Sequence, residues 1–138
     1  MPTNSASSQA SRRPIDLRRL GVGIVIAIVL NLVVYAIGAS AGATWIANDQ
    51  SVSWFLVIIA TAAAMVIGGV ITALLARWRR GAIRAMAWIG LAIGVVTVPA
   101  PILGAGDTAT GIGLASMHVL TAVVWFFAIR PSVVDARD

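Results

Sequence analysis

One hundred and thirty-eight residues fit a single domain, and 59% of them are hydrophobic while only 11% carry charge. A soluble domain of this length needs about a quarter charged residues to cover its surface, so the composition excludes a water-soluble globule and a largely disordered chain. The net charge of +5 comes from ten Arg against five Asp, and the missing cysteine excludes disulfides, thiolate metal sites and a Cys nucleophile.

In chain order, residues 1–11 are rich in Ser and other polar types and are predicted to be disordered, as part of an Arg-rich N-terminal segment over 1–19. Ile15, Leu17 and Leu20 could lie against the bilayer, but a plain topogenic cluster of arginines accounts for this stretch more simply. Four apolar runs follow at about 20–41, 52–76, 85–103 and 111–129, making a transmembrane domain over 20–130 with a tail at 131–138. Backbone in lipid must satisfy its own hydrogen bonds, so each run is predicted to be a helix. The strict apolar–polar alternation of a membrane barrel is absent. The first run and Ala39-Ser40-Ala41 together resemble a signal peptide, yet a run near 20 residues exceeds the roughly 7–15 of such a peptide and favours a retained span. Pro99 and Pro101 are expected to end or kink the third helix near Val98. Asp107, Thr108 or Thr110 can cap the start of the fourth.

The arginines predict an orientation. Arg12, Arg13, Arg18 and Arg19 precede the first span; Arg77, Arg79, Arg80 and Arg84 lie between the second and third; Arg130 and Arg137 follow the fourth. The loops at 42–51 and 104–110 hold only Asp49 and Asp107 as charges. All basic residues then fall on one side, which the positive-inside rule assigns to the cytoplasm. The predicted fold is all-α: an integral membrane four-helix antiparallel bundle, up-down-up-down, with both termini cytoplasmic and the chain in the cytoplasmic (inner) membrane. Trp45 and Trp54 near the outer loop, and Trp78, Trp88 and Trp125 near the inner ends, are expected in two interfacial belts.

Helices associate in lipid through small residues and interhelical hydrogen bonds. Ala60, Ala64, Gly68, Thr72 and Ala76 make a stripe expected to pack within the bundle or, failing that, against a second copy. Gly38 with Gly42, Gly90 with Gly94, and Gly111, Ala115 and Ala122 are further contact candidates.

Few polar side chains lie deep in the spans, and their depths coincide. Asn31 is twelve residues past Arg19, Thr97 thirteen past Arg84, and His118 twelve before Arg130. At about 1.5 Å per residue all three lie about 18–20 Å from the inner boundary. Tyr35 sits one turn beyond Asn31, with Thr61 at its depth and Thr121 within a turn of His118. Asn31, Tyr35, Thr97 and His118 are therefore the candidate ligand-binding residues, around a small polar cavity open toward the outer side. The competing reading has these groups satisfying one another as structural hydrogen bonds.

The inventory excludes much. No carboxylate accompanies His118 for a triad, and one imidazole beside Met117 is too little for a Zn or haem site, so no catalytic residue, metal or cofactor is predicted. No span holds the Asp or Glu that proton-coupled exporters use, no phosphate-binding loop occurs, and the arginines are too dispersed for nucleic acid.

The second half carries a resemblance. Trp88 and an apolar helix lead to Thr97-Val98-Pro99-Ala100-Pro101, then a small-residue loop, then Leu114-Ala115-Ser116-Met117-His118 in the fourth helix. This run, residues 77–130, resembles the actinobacterial domain-of-unknown-function family numbered 6069. Thr97, in place of the Ser more usual there, and the additional Pro99 are departures. The resemblance implies a four-helix membrane protein and brings no catalytic residue with it. The first expectation is a non-enzymatic accessory or interaction subunit, partnered by the bilayer's anionic headgroups at its arginines and by a second copy or another membrane protein. The alternative is small-ligand or lipid binding, or transport, through the layer around His118. A third reading is an enzyme on a lipid or isoprenoid substrate with His118 as acid–base.

Overall fold

The computed structural model describes residues 15–79 and 81–130. The expectations for residues 1–14 and the tail 131–138 lie outside the described residues. Helix α1 spans Leu17–Ser40, α2 Trp54–Trp78, α3 Ala82–Val96, α4 Pro99–Gly104 and α5 Thr108–Ile129. Strands β1 (Ile46–Ala47) and β2 (Gln50–Ser51) form a short antiparallel hairpin between α1 and α2. With α3 and α4 joined as Ala82–Gly104, four helical segments are long and apolar enough to cross a membrane. The break between them falls at Thr97 and Val98, because Pro99 has no amide to continue the ladder and restarts the helix from its first turn.

Side-chain oxygens close the three long helices that follow a loop. Asp16 accepts from the amides of Arg18 and Arg19 at 2.9 and 3.2 Å, Ser53 from Leu56 at 3.2 Å, and Asp107 from Thr110 at 2.8 Å. Each satisfies amides that the helix itself leaves without partners. Helix α1 thus opens at Leu17, earlier than its apolar run, and Ile15 and Leu20 are buried in the protein while Leu17 is exposed.

Helix α5 is the centre of the packing. It lies along α1 on one side and along α3 and α4 on the other; α1 also packs on α2, whereas α2 meets α3 over a shorter stretch and barely reaches α5. Partners run in opposite order along neighbours: Arg19 with Arg130 and Asn31 with Thr121 between α1 and α5, Gly90 with Trp125 and Gly94 with Ala122 between α3 and α5. At one end the Arg19 guanidinium donates to the carbonyls of Phe127 (3.0 Å) and Arg130 (3.2 Å), supplying donors where the α5 ladder runs out.

The other end is closed by the hairpin. Asn48 and Asp49 both have positive φ, the geometry of a two-residue turn matched to strand twist. Asn48 N–H donates to Gly104 at 2.8 Å and Gly106 N–H to Ile46 at 2.9 Å, tying the hairpin to the start of the α5 loop. Trp45 is held at φ 53°, a strained backbone for a bulky residue, with its ring buried, stacked on Tyr35 at 4.4 Å and inserted between Gly38 and Gly113.

Two tryptophans therefore leave the expected interfacial belts. Trp45 is 5% and Trp125 6% exposed, whereas Trp54, Trp78 and Trp88 are well exposed. Trp125 lies against Gly68 and Gly90 and donates its indole N–H to the Met86 carbonyl at 3.1 Å. An indole suits either setting, being apolar with one donor to satisfy, and here the facing glycines leave room inside.

The stripe on α2 is also displaced from the expected contact. The residues α2 buries are Val57, Thr61, Met65, Gly69 and Thr72, while Ala60 and Ala64 are exposed. Only Gly68, against Trp125, and buried Thr72 bring the stripe into the protein's packing. The contact face lies one residue on, about 100° round the helix. Gly38 and Gly42 make no helix–helix face either: Gly38 receives Trp45, and Gly42 sits at φ 87° in the loop. Gly90 and Gly94 do form one, against Trp125 and Ala122 of α5.

Candidate functional site

Because α2 barely reaches α5, a space opens between α2 on one wall and α3 and α5 on the other. It is a crevice of about 540 Å³ with almost wholly apolar walls. Ala60, Ala64 and Gly68 line it from α2, Gly90 and Gly94 from α3, and Leu114, Met117 and Ala122 from α5. Small residues on two walls leave the width. Leu56, Ile67, Ile71, Ile89 and Ile93 also line it and are exposed, so the crevice is continuous with the apolar outer surface of the helices.

Three of the four candidate residues line this space: Asn31, Thr97 and His118. Tyr35 does not, because its ring is occupied by Trp45 and its hydroxyl donates to the Val52 carbonyl at 3.2 Å. The space is accordingly an apolar crevice between helices with a few polar groups in its wall, where the residue types alone had suggested a polar cavity.

Asn31 is 2% exposed and holds three helices together. Its amide nitrogen donates to the Thr61 hydroxyl of α2 and the Thr121 hydroxyl of α5, each at 2.9 Å. Both threonines also line the crevice. Interhelical bonds of this kind contribute about 0.6 kcal/mol each within a membrane protein. The amide oxygen, equally buried, has no partner. A buried acceptor left unpaired costs about 1–3 kcal/mol. As placed, the amide donates through both N–H groups, which the exchanged orientation would leave without partners.

Thr97 turns its hydroxyl back onto its own helix, donating to Ile93 at 2.8 Å with Gly94 at 3.2 Å. That arrangement satisfies the hydroxyl in the wall. His118 is exposed, and its Nδ1 lies 2.8 Å from the Leu114 carbonyl one turn back. A carbonyl can only accept, so Nδ1 carries the proton, and in the neutral ring Nε2 is an acceptor. His118 is the only titratable side chain lining the crevice among the described residues, and no three metal-ligating groups come together among them.

A second polar cluster sits outside the spans. Asp107 accepts from the Thr44 hydroxyl at 2.5 Å and amide at 3.0 Å, and from the Thr110 hydroxyl at 2.6 Å and amide at 2.8 Å. The Thr110 hydroxyl in turn accepts from the Trp45 amide at 2.9 Å. These bonds, first of all that from the Thr110 hydroxyl, hold the Asp107 carboxyl well below the usual carboxylate range. Sequence reading identified Asp107 as a helix cap but not its hold on Thr44, because nothing local connects residues 63 apart. The bonds from Asn31 to Thr61 and Thr121 are the interhelical hydrogen bonds that the competing reading of the polar layer expects.

Among known proteins, a family model described as a family of unknown function, DUF6069, matches residues 11–135. No curated protein and no solved structure matches the chain.

Proposed function

The chain belongs to the family of unknown function DUF6069, and on that premise we propose that it is a non-enzymatic integral membrane protein that holds an apolar, chain-like membrane component in the crevice between α2, α3 and α5. The observation that carries this reading is the crevice itself. Its volume of about 540 Å³ falls within the roughly 300–1,000 Å³ of small-molecule sites, and its walls are apolar with few polar groups. An accessory subunit that seats a partner's transmembrane helix would need far more room. A cylinder about 10 Å wide and 30 Å long occupies roughly 2,400 Å³, so such a helix could lay only an edge against this opening. Catalysis on a lipid is disfavoured because His118 has no second proton-transfer group beside it in the wall.

In this reading the bundle runs up-down-up-down in the cytoplasmic membrane. Arg19, Arg79, Arg84 and Arg130 meet anionic headgroups at the inner face, and the hairpin and Asp107 cluster face outward. A cysteine-free chain allows a direct test of orientation. A single cysteine replacing Asp49 should react with an impermeant maleimide in intact cells and one replacing Gly81 should not; the reverse pattern would invert the proposed threading.

The binding reading is tested by photolabelling the protein in nanodiscs with a diazirine-bearing C16 fatty chain. Adducts should concentrate on crevice residues such as Ala64 and Ile93, and Ala64→Phe, which fills the gap, should remove most of them. Even labelling of every lipid-facing surface, unchanged in Ala64→Phe, would sink the proposal.

A further inference from the structure

Resting on that reading of the crevice, we propose that its ligand is a lipid alcohol: an apolar chain ending in a hydroxyl that donates a hydrogen bond to the polar group in the crevice wall. The wall holds unmet acceptors. The Asn31 amide oxygen is buried without a partner, although the same amide's nitrogen is fully engaged with Thr61 and Thr121. The His118 ring, committed through Nδ1 to the Leu114 carbonyl, offers Nε2 as a second acceptor. The two lie close along the fold, since Thr121, which binds Asn31, is one turn from His118 on α5.

Two of the donors nearby are already placed. Thr97 donates within its own helix and the Trp125 indole N–H donates to Met86. A hydrocarbon would leave both acceptors as they are. A ketone, an ester or a quinone brings only further acceptors, whereas a hydroxyl supplies the missing proton and can accept in return from a threonine hydroxyl. Apolar walls fix the remainder of the ligand as chain, and a charged headgroup has no counter-ion in the lining.

The test is competition against the photoreactive chain in nanodiscs, using 1-tetradecanol, 2-tetradecanone and tetradecane at matched mole fractions in the bilayer. The alcohol should displace the label from the crevice at a mole fraction about tenfold below that of the ketone, the factor one recovered hydrogen bond supplies. His118→Phe, at an exposed position bonded only to its own helix, should fold, and whichever of it and Asn31→Leu removes the acceptor that the single hydroxyl proton uses should bring the alcohol down to the ketone's level. Equal competition by alcohol and ketone would overturn the assignment of a hydroxyl while leaving chain binding intact. An alcohol preference that survives both variants would overturn the assignment of its acceptors. Failure of the photoreactive chain to label the crevice at all would instead remove the reading beneath both.

Discussion

Where α1 meets α5, Gly23 lies against Ala128 and Val124, and Gly38 and Gly113 both close on the Trp45 ring; on α2, Ala60 and Ala64 are also small and touch the crevice. The two regions share a residue class and end in opposite ways. At the seam every small residue has a bulky group or a neighbouring helix delivered into it, by Trp45 from the loop and by Ala128 from α5. On α2 no knob reaches Ala60 and Ala64, because the short contact with α5 leaves that half of the stripe uncovered. Small residues in lipid are thus permission for close approach; whether they become contact or space depends on what the rest of the fold brings to them.

The largest effects should come from breaking the closed side. Trp45→Ala removes the ring from between Gly38 and Gly113 and should cost about 3–5 kcal/mol, while alanine keeps the positive φ strained. Reversible unfolding in bicelles measures this, and a loss under about 1 kcal/mol would mean that the ring fills space without holding the helices. Next comes Gly94→Leu, whose side chain would enter Ala122 and approach the backbone oxygen of His118, for an overpacking cost of about 1–3 kcal/mol. The same enlargement across the gap, Ala64→Leu, should change stability by less than about 0.5 kcal/mol while cutting chain labelling. If the two leucines destabilise equally, the distinction between seam and crevice fails.

A smaller perturbation probes the pin between the regions. Thr121→Val deletes one of the two bonds made by the Asn31 amide and should cost about 0.6 kcal/mol, with Thr61→Val similar. The double variant should cost more than the sum, since it leaves the whole buried amide without partners. Strict additivity would show that the amide finds other partners once the hydroxyls are gone.

The contrast also explains what could be read from the residues alone. The four spans were legible because lipid forbids unpaired backbone, and the break at Thr97 and Val98 because proline lacks an amide. Depth arithmetic brought Asn31, Thr97 and His118 to one opening because a helix rises uniformly with residue number. What failed needs rotation about a helix axis or a partner from another segment, although the Gly90 and Gly94 face meets α5 as expected. The stripe on α2 was assigned to a contact that falls a residue away, and Tyr35, one turn from Asn31, was drawn off by Trp45 from the loop. Trp45 and Trp125, expected at membrane interfaces, are buried instead: Trp125 donates its indole N–H to Met86, while Trp45 fills a glycine-lined slot with its indole N–H unpaired.

The smallest expected effect belongs to the closed end and emerges only in acid. Thr110 and Thr44 donate to the ionised Asp107 carboxylate and hold its pKa well below the usual range. A group whose folded pKa is depressed contributes stability that is complete above its unfolded value, about 4, and is lost as pH falls from there toward the folded value. The apparent melting temperature of the wild type should therefore show no change due to this group between pH 7 and 5, and a decline below about pH 4. Asp107→Asn keeps a capping oxygen but cannot ionise, so its acid decline should be shallower. Its melting temperature at pH 7 should be modestly lower, because one neutral amide oxygen replaces a carboxylate that accepts four bonds. Parallel acid limbs in the two proteins would show that the acid sensitivity arises elsewhere and that the hairpin stays fastened to α5 without this charge.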